Sequence, residues 1–185
     1  MATVIDEMVA GELMQVTASV DDLIDFDHYL KKTYRKTAAL IALGCESVAV
    51  LGGHTPQVRS ALHAYGRHLG LAYQIVDDLL DITASSDALG KPACSDMRQG
   101  LATAPALFAA EEFPQMEELI KRSFREEEDV ARASELIHRS QALRKTAALA
   151  TNHAQQAADA LGVLPPSVAR DGLLRLLSDV LNRKS

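Results

Sequence analysis

The stretch "GRHLGLAYQIVDDLLD" (residues 66–81) decides the fold, because its apolar residues recur three and four positions apart. At about 100° per residue, a helix over 56–83 gathers the apolar side chains of this region into one broad stripe that should face a core. The stripe consists of Leu62, Tyr65, Leu69, Ala72, Tyr73, Val76, Leu79 and Leu80. The pattern therefore predicts one long amphipathic helix.

A second stripe of the same helix contains Gly66, Gly70, Gln74, Asp77 and Asp81, all within an arc of roughly 80°. It lies beside the apolar stripe, and it has none of the Lys, Glu or Arg that a solvent-facing surface usually carries. Glycine inside a helix costs about 1 kcal/mol relative to alanine. Two glycines on one line therefore indicate that another group approaches the helix closely.

Asp77 and Asp81 lie about 6 Å apart along the helix axis and point the same way. Two carboxylates in this arrangement repel each other unless a hard cation lies between them. Magnesium prefers oxygen ligands and commonly takes one or two carboxylates together with waters and a substrate phosphate. The spacing therefore favours a magnesium site, and the alternative is a solvated acidic patch.

The remainder of the chain also has the pattern of an all-helical protein. Strand signals are almost absent, aromatic residues are only 4%, and the 185 residues fit one domain. In "GGHTP" (52–56), Gly52 and Gly53 suit a C-terminal cap, Thr55 an N-cap and Pro56 the first helical position. Apolar periodicity predicts helices near 3–18, 26–51, 56–83, 101–111, 114–123, 126–138, 141–161 and 167–182.

Composition and charge exclude several classes of protein. A net charge of −6 argues against a nucleic-acid binder. Cys45 and Cys94 have no second cysteine or histidine at zinc-ligand spacing, so neither a disulfide framework nor structural zinc is expected. The sequence has no run of about 18 apolar residues, so no membrane span is expected. The opening "MATVIDEMVAGE" (1–12) lacks the basic start of a signal or transit peptide.

Two lysines are candidates for binding a phosphate group. In "YLKKTYRKTAALIAL" (29–43), a regular helix places Lys36 on an apolar face with Tyr29, Leu40 and Leu43, and Thr37 lies beside it. The alternative for such a lysine is that its stem packs on that face while its ammonium reaches solvent.

Lys91 lies in the longest irregular stretch, "ASSDALGKPACSDMRQG" (84–100), directly after the acidic motif. A polar loop of this length after a long helix is more often functional than a simple connection. Lys91 therefore has the position to reach a bound diphosphate, and an ordinary surface lysine is the alternative. "REEEDVAR" (125–132) is interpreted as a solvated helix start, with acids favoured by the helix dipole.

Four segments, in order, resemble the trans-prenyltransferases, or isoprenyl diphosphate synthases, and both order and spacing agree along essentially the whole chain. They are "GELMQ" (11–15), "YRKTAAL" (34–40), "GRHLGLAYQIVDDLLD" (66–81) and "LGKPACSD" (89–96). The stretch "LATAPALFAAEEFPQ" (101–115) is similar to the long-chain polyprenyl (solanesyl-type) diphosphate synthases. The resemblance implies an all-α fold, here the C-terminal portion of an isoprenoid-synthase-type helical bundle around a deep central cavity.

This resemblance also implies a reaction. In the family, magnesium ions hold an allylic diphosphate, the diphosphate leaves, and isopentenyl diphosphate attacks the resulting carbocation. The product is a long-chain polyprenyl diphosphate of the kind used for quinone side chains. By position, Asp77, Asp78 and Asp81 look like the second aspartate-rich motif. The resemblance implies that these three aspartates are the metal-binding residues, with Asp77 binding Mg²⁺ directly and Asp81 nearby.

Four further residues receive roles through the same resemblance. Lys36 and Lys91 look like the lysines that hold and neutralise the departing diphosphate. Thr37 and Gln74 look like polar residues that line the pocket near the prenyl chain and the reaction centre. Stabilisation of the leaving group would then be the main catalytic contribution. A smaller departure is "GLATAP" (100–105), where many family members have a lysine after the glycine.

A second Asp-Asp-x-x-Asp motif, at Asp21, Asp22 and Asp25, does not match the family's first aspartate motif. That motif precedes the "GELMQ" region and is followed by paired arginines, whereas these residues follow "GELMQ" and have no arginine pair. We therefore expect them to be capping and solvated loop residues.

The resemblance leads to two hypotheses. In the first, residues 1–185 form a single domain that lacks the family's N-terminal half, including most of the isopentenyl diphosphate site, and is weak or inactive alone. In the second, the chain is a non-catalytic or regulatory subunit that pairs with a complete synthase. The full set of motif residues favours the first. Either hypothesis is compatible with a homodimer or a heterodimer, and the family suggests a mitochondrion or plastid, otherwise the cytoplasm.

Overall fold

The computed structural model describes residues 2–83 and 93–183, and the regular structure of these residues is entirely helical. The helices are α1 (Ala2–Val16), α2 (Phe26–Thr33), α3 (Ala39–Leu51), α4 (Pro56–Thr83), α5 (Ser95–Arg98), α6 (Ala104–Ala110), α7 (Pro114–Lys121), α8 (Asp129–Arg139), α9 (Ala142–Ala160) and α10 (Val168–Asn182). Two short 3₁₀ turns (Asp22–Ile24 and Leu161–Val163) and one π-helical turn (Tyr34–Ala38) complete the described elements. The all-α prediction is confirmed for these residues.

The boundary between α3 and α4 follows the predicted capping residues. Gly53 has a φ of +67°, the left-handed conformation that glycine adopts at little cost just after a helix. The Thr55 hydroxyl accepts a hydrogen bond of 3.4 Å from the backbone N–H of Val58. Helix α4 then begins at Pro56, whose missing N–H would have no helical partner at that position. The predicted stop and start are confirmed.

Helix α1, the helices from Leu30 to Gln74 and the C-terminal helices from Leu149 to Arg183 form the first of two compact units. Tyr65 is 1% exposed, and its hydroxyl donates to the carbonyl of Leu173 at 3.1 Å. Burial raises the pKa of Tyr65 to about 12. One buried cluster links α4, α9 and α10 through Tyr65, Leu69, Ala72, Ala154, Ala157, Leu161, Leu177 and Val180. The apolar stripe of α4 is thus confirmed in this unit, with one exception.

The exception is Tyr73, which was predicted to face the core but is 42% exposed. The guanidinium of Arg183 lies over its ring, 4.1 Å from the ring centroid. Cations favour the face of an aromatic ring, so this contact gives the ring a polar partner at the surface. The prediction was wrong because a broad stripe drawn at 100° per residue includes side chains at its margin.

The glycines of α4 pack against another helix of the same unit. A Cβ atom on Gly70 would lie 2.5 Å from the Cα of Ala38, and one on Gly66 would lie 2.7 Å from the Cα of Ala42. The predicted close approach is therefore confirmed, and the approaching group is the backbone of the π turn and α3. At these two positions glycine permits helix–helix contact, so neither position lines a ligand site.

Residues Thr17–Tyr29 and Ile75–Ala148 belong to the second compact unit. Helices α6, α7 and α8 pack against one another there. The side chains that fill this unit include Met97, Leu107, Met116, Leu119, Ile120 and Ile137. Helix α5 was not predicted, and α6 begins at Ala104 rather than at 101.

The start of α8 differs from the predicted solvated one. The helix begins at Asp129, which is 2% exposed, rather than at 126. The carboxylate of Asp129 accepts from Arg122 Nε at 2.9 Å and from the backbone N–H of Glu126 at 3.1 Å. The Arg122 hydrogen bond holds the pKa of Asp129 below its usual value. A run of acids at a helix start looks the same in sequence whether one member is buried or not.

Helix α1 carries a row of exposed apolar side chains in addition to the face that packs on the π turn and α3. Their exposed fractions range from 38% to 80%, and they are Ile5, Met8, Val9, Leu13 and Val16. Within 2–83 and 93–183, none of the helices combines the length and hydropathy needed to cross a bilayer. Contiguous apolar side chains of this kind commonly mark a surface for protein contact.

Candidate active site

Lys36 lies in the π turn Tyr34–Ala38, where the backbone N–H of Ala39 donates to the carbonyl of Tyr34, five residues back. A π turn holds one residue more than an α-helical turn, so the faces before and after it are rotated by about 100°. The predicted shared face is accordingly broken: Tyr29 is 3% exposed, whereas Leu40 is 52% exposed. The expectation of Lys36 on a continuous apolar stripe was wrong.

The ammonium of Lys36 instead contacts polar side chains of α1. Its Nζ donates to Oε1 of Gln15 at 2.8 Å and lies 3.0 Å from Oε1 of Glu12. Gly11 makes this contact possible, because a Cβ there would lie 2.8 Å from Cγ of Lys36. The neighbouring Arg35 pairs in the same way with Glu7, at 3.3 Å. Lys36 is therefore held by "GELMQ" through specific contacts.

Thr37 and Gln74, two residues predicted to line a common pocket, are in direct contact. The Thr37 hydroxyl donates to Oε1 of Gln74 at 3.0 Å, across 37 positions of sequence. Both side chains are partly buried. Gln74 lies one helical turn after Gly70 on the same face of α4. The close packing of Gly70 on the π turn therefore brings Gln74 near enough to Thr37 for this bond.

The second aspartate motif lies at the C-terminal end of α4, in the second unit. Asp78 and Asp81 are each 2% exposed, and Asp77 is partly exposed. The Tyr29 hydroxyl donates to Oδ2 of Asp78 at 2.6 Å. Phe26 fixes the Tyr29 ring from the side, with ring centroids 5.5 Å apart. A solvated acidic patch, the alternative drawn from the sequence, does not describe two carboxylates that are almost fully buried.

Asp81 joins the end of α4 to the beginning of α5. Its Oδ1 accepts from the backbone N–H of Ser95 and its Oδ2 from that of Asp96, each at 3.1 Å. Its own carbonyl accepts from the N–H of Cys94 at 2.9 Å. These bonds fix the orientation of the Asp81 carboxylate. Lys91, the other predicted lysine, lies outside the described residues.

The aspartate motif fits a cation that is shared with a substrate, rather than one enclosed by protein ligands. Within the described parts of the chain, no group of three or more His, Cys, Asp or Glu side chains is placed to enclose a metal ion. Magnesium is usually held by one or two carboxylates together with substrate phosphates and water. The carboxylate oxygens of Asp77, Asp78 and Asp81 are the kind of ligand that such a cation takes.

The first acidic motif behaves as the sequence predicted. Oδ1 of Asp25 accepts from the backbone N–H of Asp27 at 3.0 Å, at the start of α2. Asp22 accepts from the Ser19 hydroxyl at 2.7 Å, and this bond lowers the pKa of Asp22. Asp21 and Asp25 are exposed. The interpretation as capping and loop residues is confirmed.

Sequence reasoning missed three residues of these networks: Glu12, Gln15 and Tyr29. Glu12 and Gln15 are three positions apart on α1, which places both on one helix face. That spacing was the available signal. Tyr29 carries no such signal, because its partner Asp78 is 49 positions away.

A comparison with known families and proteins agrees with this arrangement. The family described as "Polyprenyl synthetase" matches residues 1–137. The chain therefore belongs to the polyprenyl synthetase family.

Among its relatives, the chain is 44% identical over 185 residues to solanesyl-diphosphate synthase 1, mitochondrial, of Oryza sativa subsp. japonica. That match covers 99% of this chain and 43% of the rice protein. A prenyl transferase of Synechocystis sp. is 43% identical over 183 residues, covering 99% of this chain and 57% of that protein. The chain thus spans about half the length of the curated relatives it matches.

Solved structures of the same family have the same fold. The apo form of an Arabidopsis medium/long-chain length prenyl pyrophosphate synthase matches with a TM-score of 0.91 and 41% identity, covering 100% of this chain and 64% of that chain. A polyprenyl synthase from Caulobacter crescentus, complexed with calcium and isoprenyl diphosphate, matches with a TM-score of 0.88 and 36% identity. That match covers 100% of this chain and 58% of the Caulobacter chain.

Proposed function

We propose that this chain carries part of the active site of a long-chain polyprenyl diphosphate synthase, the part that binds an allylic diphosphate and assists departure of its diphosphate. Membership of the polyprenyl synthetase family supports this proposal. The observation that carries it is the near-complete burial of Asp78 and Asp81 beside Asp77. Burying a carboxylate costs free energy unless hydrogen bonds or a cation compensate for the lost water. The burial of this motif is therefore more consistent with a cation site than with a solvated surface.

The proposed reaction begins when the C–O bond between the allylic carbon and the diphosphate breaks. The bonding pair leaves with the diphosphate, the double bond of isopentenyl diphosphate attacks the allylic cation, and loss of a proton restores a double bond. Lys36 donates to the departing diphosphate and offsets its charge. Thr37 and Gln74 orient the neighbouring part of the substrate. Lys91 has the same proposed role as Lys36 on the strength of the family resemblance.

The aspartates are proposed to hold the cation. Asp77 and Asp81 offer carboxylate oxygens, and Asp78 steadies the motif through Tyr29. Bound Mg²⁺ would supply positive charge against the negative charge that develops on the leaving diphosphate. We assign no residue of this chain to isopentenyl diphosphate, and the relatives extend well beyond the matched region.

Two wider proposals follow from the relatives and from α1. The exposed apolar row of α1 supports association with a second copy of the chain or with a related synthase. Relatives named as mitochondrial, and as chloroplastic and mitochondrial, support a location in one of these organelles.

The proposal is tested by elongation of farnesyl diphosphate with labelled isopentenyl diphosphate in the presence of Mg²⁺. The assay uses this chain and a chimera in which it replaces the matched region of the rice relative. We expect little turnover from the chain alone and clear turnover from the chimera. In the chimera, Asp77→Ala should lower turnover by about 100-fold, the scale on which loss of one electrostatic contact acts.

The matched control is Asp21→Ala, which removes an aspartate from the exposed first motif. It should leave turnover within about twofold of the unmodified chimera, because its effect on the site is screened by solvent. Equal turnover of the Asp77→Ala and unmodified chimeras would refute the metal assignment. A folded chimera without any activity would refute the proposed function.

A further inference from the structure

Lys36 is held by a cradle on α1, which we define as Gly11, Glu12 and Gln15. The absence of a side chain at Gly11 lets α1 lie against the stem of Lys36, because a Cβ would come within 2.8 Å of Cγ and 2.9 Å of the backbone nitrogen. At the end of the same side chain, Nζ of Lys36 lies 2.8 Å from Oε1 of Gln15 and 3.0 Å from Oε1 of Glu12. The π turn fixes the direction from which Lys36 approaches α1.

We infer that Gln15 and Glu12 are positioning residues for Lys36 with opposite effects on diphosphate binding. Gln15 orients the Lys36 ammonium and so favours diphosphate binding. The Glu12 carboxylate occupies the place beside Lys36 that a substrate diphosphate would take, and so it competes with binding. This inference rests on the proposed function, because it assigns Lys36 to the diphosphate.

The two cradle residues differ in charge and exposure. Gln15 is neutral and partly buried, so it accepts a hydrogen bond without repelling an incoming anion. The Glu12 side chain is 61% exposed and anionic, so it is free to swing into solvent when a stronger anion arrives. An ammonium has three donors, and one of them can stay on Gln15 while another moves from carboxylate to diphosphate.

The first experiment measures binding of inorganic pyrophosphate to the purified chain by calorimetry in the presence of Mg²⁺. Glu12→Gln should tighten binding by at least about fourfold, the factor for removing the repulsion between two unit charges about 5 Å apart in water. Gln15→Ala should weaken it about fivefold, the factor for one lost hydrogen bond. The gain from Glu12→Gln should shrink in about 0.5 M salt, because exposed charges are screened.

Glu7→Gln is the matched control. It removes the same charge from the same helix, but its carboxylate pairs with Arg35 at 3.3 Å and not with Lys36. Its pyrophosphate affinity should stay within about twofold of the unmodified chain. Because a merely structural role would move all cradle variants in one direction, opposite shifts for Glu12→Gln and Gln15→Ala identify the positioning role.

A second measurement does not depend on affinity. Competitive acetylation with mass spectrometry reports how readily the Lys36 amine reacts, since a bonded ammonium must first leave its acceptors. Gln15→Ala should raise the rate at Lys36 at least twofold, as expected from loss of one acceptor. Glu12→Gln should raise it as well, because its neutral amide accepts a weaker hydrogen bond than the carboxylate does. Glu7→Gln should not, and pyrophosphate with Mg²⁺ should lower the rate in the unmodified chain.

Each result decides one of the two proposals. Unchanged acetylation in both cradle variants, or shifts of pyrophosphate affinity in the same direction, would overturn the positioning role even if the unmodified chain binds pyrophosphate. If both variants raise acetylation but pyrophosphate neither binds nor protects Lys36, the diphosphate assignment of the proposed function fails, and the exchange with Glu12 fails with it.

Discussion

Gly70→Ala tests the close packing of α4 on the π turn. The added Cβ would lie 2.5 Å from the Cα and 2.8 Å from the Cβ of Ala38. Carbon atoms pack at about 3.5–4.0 Å, so the overlap is about 1 Å, and neither contacted atom belongs to a side chain that can rotate away. The two helices would therefore have to separate.

The magnitude follows from two opposing contributions. Overpacking a well-packed interior costs typically about 1–3 kcal/mol, and the rigid contact at Gly70 places it near the upper end. Replacing a helical glycine by alanine returns about 1 kcal/mol. We therefore expect Gly70→Ala to lower the free energy of unfolding by about 2 kcal/mol. The melting temperature should fall by about 4–8 °C, given about 2–4 °C per kcal/mol for a domain of this size.

Gly44→Ala provides the control, because a Cβ at Gly44 in α3 would meet no atom within 4 Å. That variant should gain about 1 kcal/mol from helix propensity alone. Urea unfolding followed by circular dichroism at 222 nm measures both variants against the unmodified chain. A Gly70→Ala variant as stable as Gly44→Ala would refute the argument that backbone contact requires the glycine.

Three further predictions concern other features of the two units. Nδ1 of His153 lies 3.0 Å from Nδ1 of His68. Burial lowers the pKa of His153 to about 4. The unfolded chain therefore binds this proton first, and stability falls as the pH drops from about 6.5 towards 4. Between pH 7 and pH 5, the free energy of unfolding of the unmodified chain should fall by about 2 kcal/mol more than that of His153→Asn. An equal fall in the two proteins would contradict the lowered pKa of His153. Asp129→Asn should lower the melting temperature clearly more than Glu135→Gln, because Asp129 is buried while Glu135 is 66% exposed. Sedimentation velocity should show concentration-dependent association through the apolar row of α1, and a monomer at all concentrations would contradict it.

Local signals in the sequence predicted the features that depend on neighbouring residues. Thr55 and Pro56 mark the start of α4, and the 3.6-residue periodicity places Tyr65 in the core. The glycine at position 70 correctly indicated a close neighbour, although the sequence did not say which one. Asp25 was recognisable as a cap from its position directly before a helix. In each case a few consecutive residues carry the information.

Features that depend on distant partners were not predictable in this way. The π turn alters the register of a helix by one residue, and a periodicity spread over 26–51 does not resolve that change. Asp81 was identified as a candidate ligand, but its two backbone partners lie 14 and 15 positions ahead. Tyr73 fell at the margin of the stripe, where its exposure depends on the packing of Arg183.

The π turn at 34–38 has a consequence for how this region tolerates changes in length. Loss of a single residue from this turn would leave an unbroken α-helix of nearly the same rise, so the chain ends would scarcely move. The downstream segment would nevertheless rotate by about 100°, and Ala38 and Ala42 would turn away from the two glycines of α4. Deletion of one residue from the π turn would thus twist the helix, whereas deletion of one residue from a loop would only shorten the connection.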